Sequence, residues 1–282
     1  MSCGARYLML GVTSFYRDEA CQSLQLALNN SNEASLVCVA TAVLLSSIEI
    51  RSGCTDTSHM ELASTLIRKA GLKSNSSNLV GACFWSHALM QLTHSLYHNV
   101  ALAWVPESPG DVASDADHKS STGEALCGQE AFWARRMIYI CTKIAALRAE
   151  SAHNLRNYST DQLLANCEKY RTWCDEWANN VPRSMMPLCY IPASTEQPPE
   201  TTIPHVLLVG LAANVSRLLY HTSCLLLARI TPAEPAFRAY AKRMQIRHAL
   251  DICGIAAQAE DKYADSILYM LFADRGRSPG RA

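Results

Sequence analysis

The chain has 282 residues, 49% of them hydrophobic and 18% charged, with 25 Lys and Arg against 25 Asp and Glu. That length fills one large domain or two small ones with ample core, and the composition excludes a disordered chain. A formal net charge of zero excludes the strong overall basicity of a nucleic-acid binder.

Apolar residues recur with a helical period along most of the chain, and no run alternates as a half-buried strand does. The pattern predicts helices over 33–51, 57–70, 76–104, 129–150, 160–180, 203–230 and 234–258, with short helices filling 5–29 and 259–273. The N-terminal MSCGARYLML lacks the charged start and long apolar run of a secretory signal. The twelve cysteines include no CxxC pair, and several sit in apolar helical runs, as Cys38 does in LVCVATAVLL. In an intracellular chain they read as small buried hydrophobes rather than metal ligands or disulfides.

Within the second helix, the single acid of IEIR (48–51) reads as a surface or capping group, as do those of CDEW (174–177). Gly71 after IRKA marks a helix stop. The stretch WSHALMQLTHSLYH then sets histidines at 87, 94 and 98. At 100° per residue they fall within about 40° of one another. Trp85, Leu89, Leu92, Leu96 and Val100 cluster opposite, so the histidine stripe, shared with Gln91, is expected to face water or a partner. His94 and His98 lie one turn apart and can chelate together, but His87 lies about 10 Å further along the axis. The glutamate of an HExxH helix is missing. Two ligands do not make a zinc site, so no metal ligand, cofactor-binding or catalytic residue is assigned here.

Two loops interrupt the array. Residues 106–124 are rich in Ser, Asp, Gly and Pro, and Asp115, Asp117 and His118 within them read as solvated loop groups. Residues 181–204 hold six prolines, which exclude a helix. Between the loops, Ser159 with Gln162 forms a capping-box pattern. Trp173 and Trp177, at i and i+4, share one face as core anchors, and Tyr220 and His221 fall at the wall of the core. Residues 205–230 are apolar nearly all round but carry Arg217 and His221 in the middle, a costly arrangement in a bilayer. They read as a buried central helix. The arc of Arg238, Lys242, Arg243, Arg247 and His248 reads as a solvated face. No GxGxxG, GxxxxGK[ST] or GxSxG motif occurs.

Six stretches, in order, resemble the regulatory (middle homology) region of fungal zinc-cluster transcription factors, over about residues 20 to 260. LVCVATAVLLSSIEIRSGCTDTSHMELA (36–63) resembles a helix ending in an acid, Glu49, followed by a helix led by His59. GACFWSHALMQL (81–92) is similar to the aromatic-led helix that follows, and FWARRMIYICTKIAAL (132–147) to the tryptophan-led one. WCDEWANNVPRSMMPLCY (173–190) resembles the paired-tryptophan helix running into a proline-containing loop. LLYHTSCLLLARITP (218–232) and ICGIAAQAE (252–260) complete the series. The chain departs from the family pattern in having no six-cysteine cluster, and in placing Ser86, His87, Ala88 and Leu89 after CFW.

The resemblance implies an all-α fold, a single large irregular multi-helix domain around a buried central helix over residues 1–273, with a disordered tail at 274–282. It further implies a nuclear, non-enzymatic regulatory domain with no cofactor, starting inside the regulatory region. The partners implied are proteins or a second copy, a small-molecule effector, DNA only through the missing zinc-cluster module, and no membrane. The alternatives are a helical metal-dependent enzyme using His94 and His98, and a dimerising scaffold.

Overall fold

The computed structural model describes residues 3–30, 35–51, 56–74, 78–102, 129–153, 159–193, 203–231 and 237–259. The 106–124 loop with Asp115, Asp117 and His118, the tail at 274–282, and all but the first residue of the 259–273 helix lie outside the described residues. Among those described, the chain is all-α, with eight helices: α1 (Cys3–Asn30), α2 (Leu36–Arg51), α3 (Ser58–Lys69), α4 (Asn78–His98), α5 (Gln129–His153), α6 (Thr160–Asn180), α7 (Leu211–Ile230) and α8 (Arg238–Gln258). None is long and apolar enough to cross a membrane. Contacts divide the chain into two compact units, Met1–Gln91 and Leu92–Ala282.

In the first unit α1 packs on α2 and α2 on α3. Val39, Ala42, Leu45, Met60, Ala63, Leu66 and Ile67 form the buried seam, each large side chain contributing about 1.5–3 kcal/mol by leaving water. Gly71 does end α3. Its φ of +62° is left-handed, its N–H donates to Arg68 O at 3.1 Å, and Leu72 N–H donates to Ile67 O at 3.1 Å. This double closure satisfies the last carbonyls of the helix, at a backbone conformation that glycine adopts without a Cβ penalty.

In the second unit α7 is the central helix, packed against α5, α6 and α8. Ala213, Ser216 and Ser223 are buried on it among Leu218, Leu219, Leu226 and Leu227, and these short side chains let neighbouring helices approach closely. From α5 come Met137, Ile140, Cys141 and Ile144, all at most 2% exposed. Trp177 of α6 is fully buried and its indole N–H donates to Trp133 O at 2.9 Å, so it is the core anchor expected. Trp173 is half-buried against Tyr139 and Tyr170.

The structure corrects several expected boundaries. α4 stops at His98 rather than 104 because Asn99 turns left-handed, with φ +53°. Arg148 then donates to the freed carbonyls of Ser95 and Leu96 at 3.0 and 3.1 Å. α7 begins at Leu211 rather than 203, because residues 205–207 form a strand. β1 (Cys189–Ile191) pairs antiparallel with β2 (His205–Leu207), Tyr190 opposite Val206. Sequence periodicity gave no sign of this ribbon, since three residues are too few to show an alternation. Gly210, φ +84°, turns the chain from ribbon to helix, and the Asn214 amide donates to its carbonyl at 2.8 Å. Ser159 does sit at the N-cap of α6, but its hydroxyl makes no capping hydrogen bond, so the expected capping box does not form.

Candidate functional site

Three helices of the second unit enclose a cavity of about 920 Å³. Its apolar wall comes from Leu227 of α7 and from Tyr240, Ala241 and Met244 of α8, with Phe237 just before that helix. Its polar end carries Arg171, Asp175, His221, Arg247, His248 and Asp251. On α8, the i and i+3 spacing of His248 and Asp251 puts both on one helical face, and the packing of α7 on α8 brings His221 to meet them. His221 Nδ1 lies 3.0 Å from His248 Nδ1, one imidazole donating to the other, and 3.5 Å from Asp251 Oδ2. The Tyr190 hydroxyl, from β1, donates to Asp251 Oδ1 at 2.9 Å. The ribbon therefore closes the outer side of this cluster.

The frame around these groups is tight. Tyr220 stacks on Trp177 with ring centroids 5.6 Å apart, and the Arg217 guanidinium lies 5.2 Å over the Trp177 ring. Gln245 of α8 donates to Ala228 O of α7 at 2.8 Å. At Gly254 the helix passes so close to the chain before β2 that an added Cβ would sit 2.3 Å from Pro204 O. Only glycine fits there without displacement of backbone.

Burial sets the protonation of the cluster. It pushes His221 down to about 3, helped by the neighbouring His248, Arg217 and Arg247 charges. Burial lowers His248 as well, with Asp251 opposing. Both imidazoles are therefore neutral near pH 7. Deeper in the wall, a hydrogen bond with Cys224 raises the Cys174 thiol while lowering that of Cys224, and burial raises the Tyr220 phenol. Burial also pushes Cys141 up to about 12, against the Ser223 hydroxyl.

The residues singled out by sequence fall elsewhere, or otherwise than expected. The histidine stripe does not face water: His87 is 1% and Gln91 3% exposed. Ser64 of α3 meets His87 Nε2 at 2.9 Å and accepts from the Gln91 amide at 3.1 Å. Helix α4 is buried on both sides over this stretch, so the apolar stripe does not mark its only inner face. Burial lowers His87 to about 4. His94 and His98 are half-buried with ring centroids 4.5 Å apart, and among the described residues no third ligand group joins them.

Glu49 is no surface acid. Its carboxylate meets His59 Nδ1, and His59 Nε2 lies 3.6 Å from Cys21 Sγ, so one imidazole links α1, α2 and α3. Asp175 and Glu176 are exposed, as are Arg238, Lys242, Arg243 and Arg247, while His248 turns inward. Cys38, Cys83, Cys141, Cys167 and Cys174 are buried as expected, whereas Cys189 and Cys253 are exposed. Tyr220 and His221 do stand at the wall of the core. The His248–Asp251 spacing is readable in the sequence, but the approach of His221 from 27 residues away is set by tertiary packing.

The second unit is thus an all-helical frame with a central helix and a cavity lined from three helices. Residues 5–230 match the family described as the fungal specific transcription factor domain, and the chain belongs to that family. That membership supports a role in transcription regulation; domains of this family are in general nuclear and non-enzymatic. No curated protein matches the chain, and no solved structure does. The family match ends with α7, so α8 with His248 and Asp251 lies beyond it.

Proposed function

We propose that this chain regulates transcription in the nucleus by effector contact, taking a small amphipathic molecule into the cavity between α6, α7 and α8, and that it acts without catalysis. The observation that carries this reading is the cavity itself. About 920 Å³ is within the range that holds small organic ligands, roughly 300–1,000 Å³. Leu227, Phe237, Tyr240 and Met244 offer an apolar bed at one side, and Arg171 and Arg247 offer cationic hydrogen-bond donors at the other. That division suits a ligand with an apolar body and an anionic or polar head. Sequence-specific reading of DNA is assigned to a zinc-cluster module, because the 282 residues hold no CxxC pair and a balanced charge supplies little phosphate attraction.

The test joins residues 1–282 to a foreign DNA-binding domain in a fungal host and reads a reporter gene. The fusion is expected to change reporter output, and Met244→Trp, which puts a bulkier ring into the apolar side of the cavity, is expected to weaken the change while the fusion stays nuclear and abundant. An inert, well-expressed nuclear fusion overturns the regulatory role, and a fully active Met244→Trp fusion overturns the cavity as its seat.

A further inference from the structure

We propose that His221, His248 and Asp251 bind one divalent transition-metal ion, with the remaining coordination position open to the cavity. This goes beyond the effector reading and does not depend on it. The three ligand atoms all lie within 4.8 Å of one another. Metal–ligand bonds of about 2.0–2.2 Å in a tetrahedral zinc site set neighbouring ligand atoms roughly 3.3 Å apart. The observed separations of 3.0 Å (His221 Nδ1 to His248 Nδ1) and 3.5 Å (His221 Nδ1 to Asp251 Oδ2) fall on either side of that value. The third pair, His248 and Asp251, lies within 4.8 Å, so side-chain rotation is what would bring all three to one centre.

The ligand chemistry narrows the ion. Two imidazoles with one carboxylate suit zinc, iron, nickel or copper, whereas magnesium and calcium prefer an all-oxygen set. Three protein ligands plus a free position is the arrangement of an open site rather than a closed structural one. Burial adds a second, independent reason. The Asp251 side chain is 6% exposed, and a buried carboxylate demands compensation. It receives one phenol hydrogen bond from Tyr190 and stands beside the His221 ring. A cation bound between the three groups supplies that compensation. Tyr190 then acts as the outer partner that orients the ligating carboxylate, as hydrogen-bonded carboxylates at metal sites commonly require.

The test uses the purified full chain, stripped with chelator and titrated calorimetrically with zinc, and separately with cobalt(II) read by visible absorption. One ion per chain is expected. Asp251→Asn and His248→Gln, each checked for unchanged helical circular dichroism, are expected to weaken zinc binding at least about 100-fold, and Tyr190→Phe about tenfold. His94→Ala is expected to leave it unchanged. Unaltered zinc binding in both Asp251→Asn and His248→Gln, or no stoichiometric zinc at micromolar concentration, overturns the proposal.

Should the variants fail to fold, the cobalt spectrum of the unsubstituted chain decides. A visible ligand-field band without a near-ultraviolet thiolate band supports nitrogen and oxygen ligation. A thiolate band, or no band, overturns it. Loss of the metal site leaves the Met244→Trp reporter result untouched, so the two readings fail separately.

Discussion

Two buried histidine clusters, one in each unit, show how little a histidine's burial says by itself. In the first unit His87 is held by Ser64 and beside Gln91, at 1% exposure, and its ring is one more packed piece of a helix interface. In the second unit His221 and His248 meet over a buried carboxylate at the end of a cavity. Both sets are kept neutral by burial. What separates them is the neighbour: hydroxyl and amide groups close the first cluster, while the second faces space that a ligand can enter. On that contrast His87 belongs with the packing of its unit, and the proposed binding falls to His221 with His248.

The largest effect that can break this contrast is in the pH dependence of unfolding. His87 titrates at about 4 when folded, against an ordinary value of 6.5. As pH falls below 6.5 the unfolded chain takes up this proton first, so stability is full above 6.5 and declines down to about 4. The decline attributable to this ring is about 3 kcal/mol at most. Urea unfolding midpoints from pH 7.5 to 4.5 are expected to fall less steeply in His87→Gln than in the parent chain. Identical slopes would remove the structural role assigned to His87.

A smaller effect sharpens the other side. Gly254→Ala raises helix propensity by about 1 kcal/mol, yet it drives a Cβ against Pro204 O. Overpacking of this kind typically costs about 1–3 kcal/mol, and a net loss of up to about 2 kcal/mol is expected in thermal unfolding. A stabilised variant would mean that α8 does not bear on the ribbon as closely as described.

The smallest effect is at Ser159. With no side-chain cap formed, Ser159→Ala is expected to cost less than about 0.3 kcal/mol, where a working cap is worth about 1 kcal/mol. A full 1 kcal/mol loss in the same unfolding assay would restore the capping box.

Long helices with strong local punctuation were legible from the sequence. Gly71 could be read as a stop because a left-handed C-terminal residue favours glycine whatever surrounds it. The buried course of residues 211–230 followed from its near-continuous apolar face. The inner side of α4 was not legible, because an apolar stripe identifies one buried face and is silent about a second, polar one closed by Ser64. The ribbon was hidden by its length. On α8 the sequence places His248 in a solvated arc and does not single out Asp251, and the third member of the site comes from α7. Only the packing of one helix on another could supply that meeting.

The position of α8 has a further consequence in terms of linkage. The helix is fastened to α7 by the Gln245 amide and seated on Pro204 at Gly254, and it contributes both an apolar wall and two of the three convergent polar groups. Any molecule held between α7 and α8 therefore adds its binding energy to the docking of that helix, about 2.7 kcal/mol at a hundredfold excess over Kd. On the proposed effector reading, occupancy and the seating of α8 form one equilibrium, so a ligand would be sensed as a change in how firmly a single helix is held.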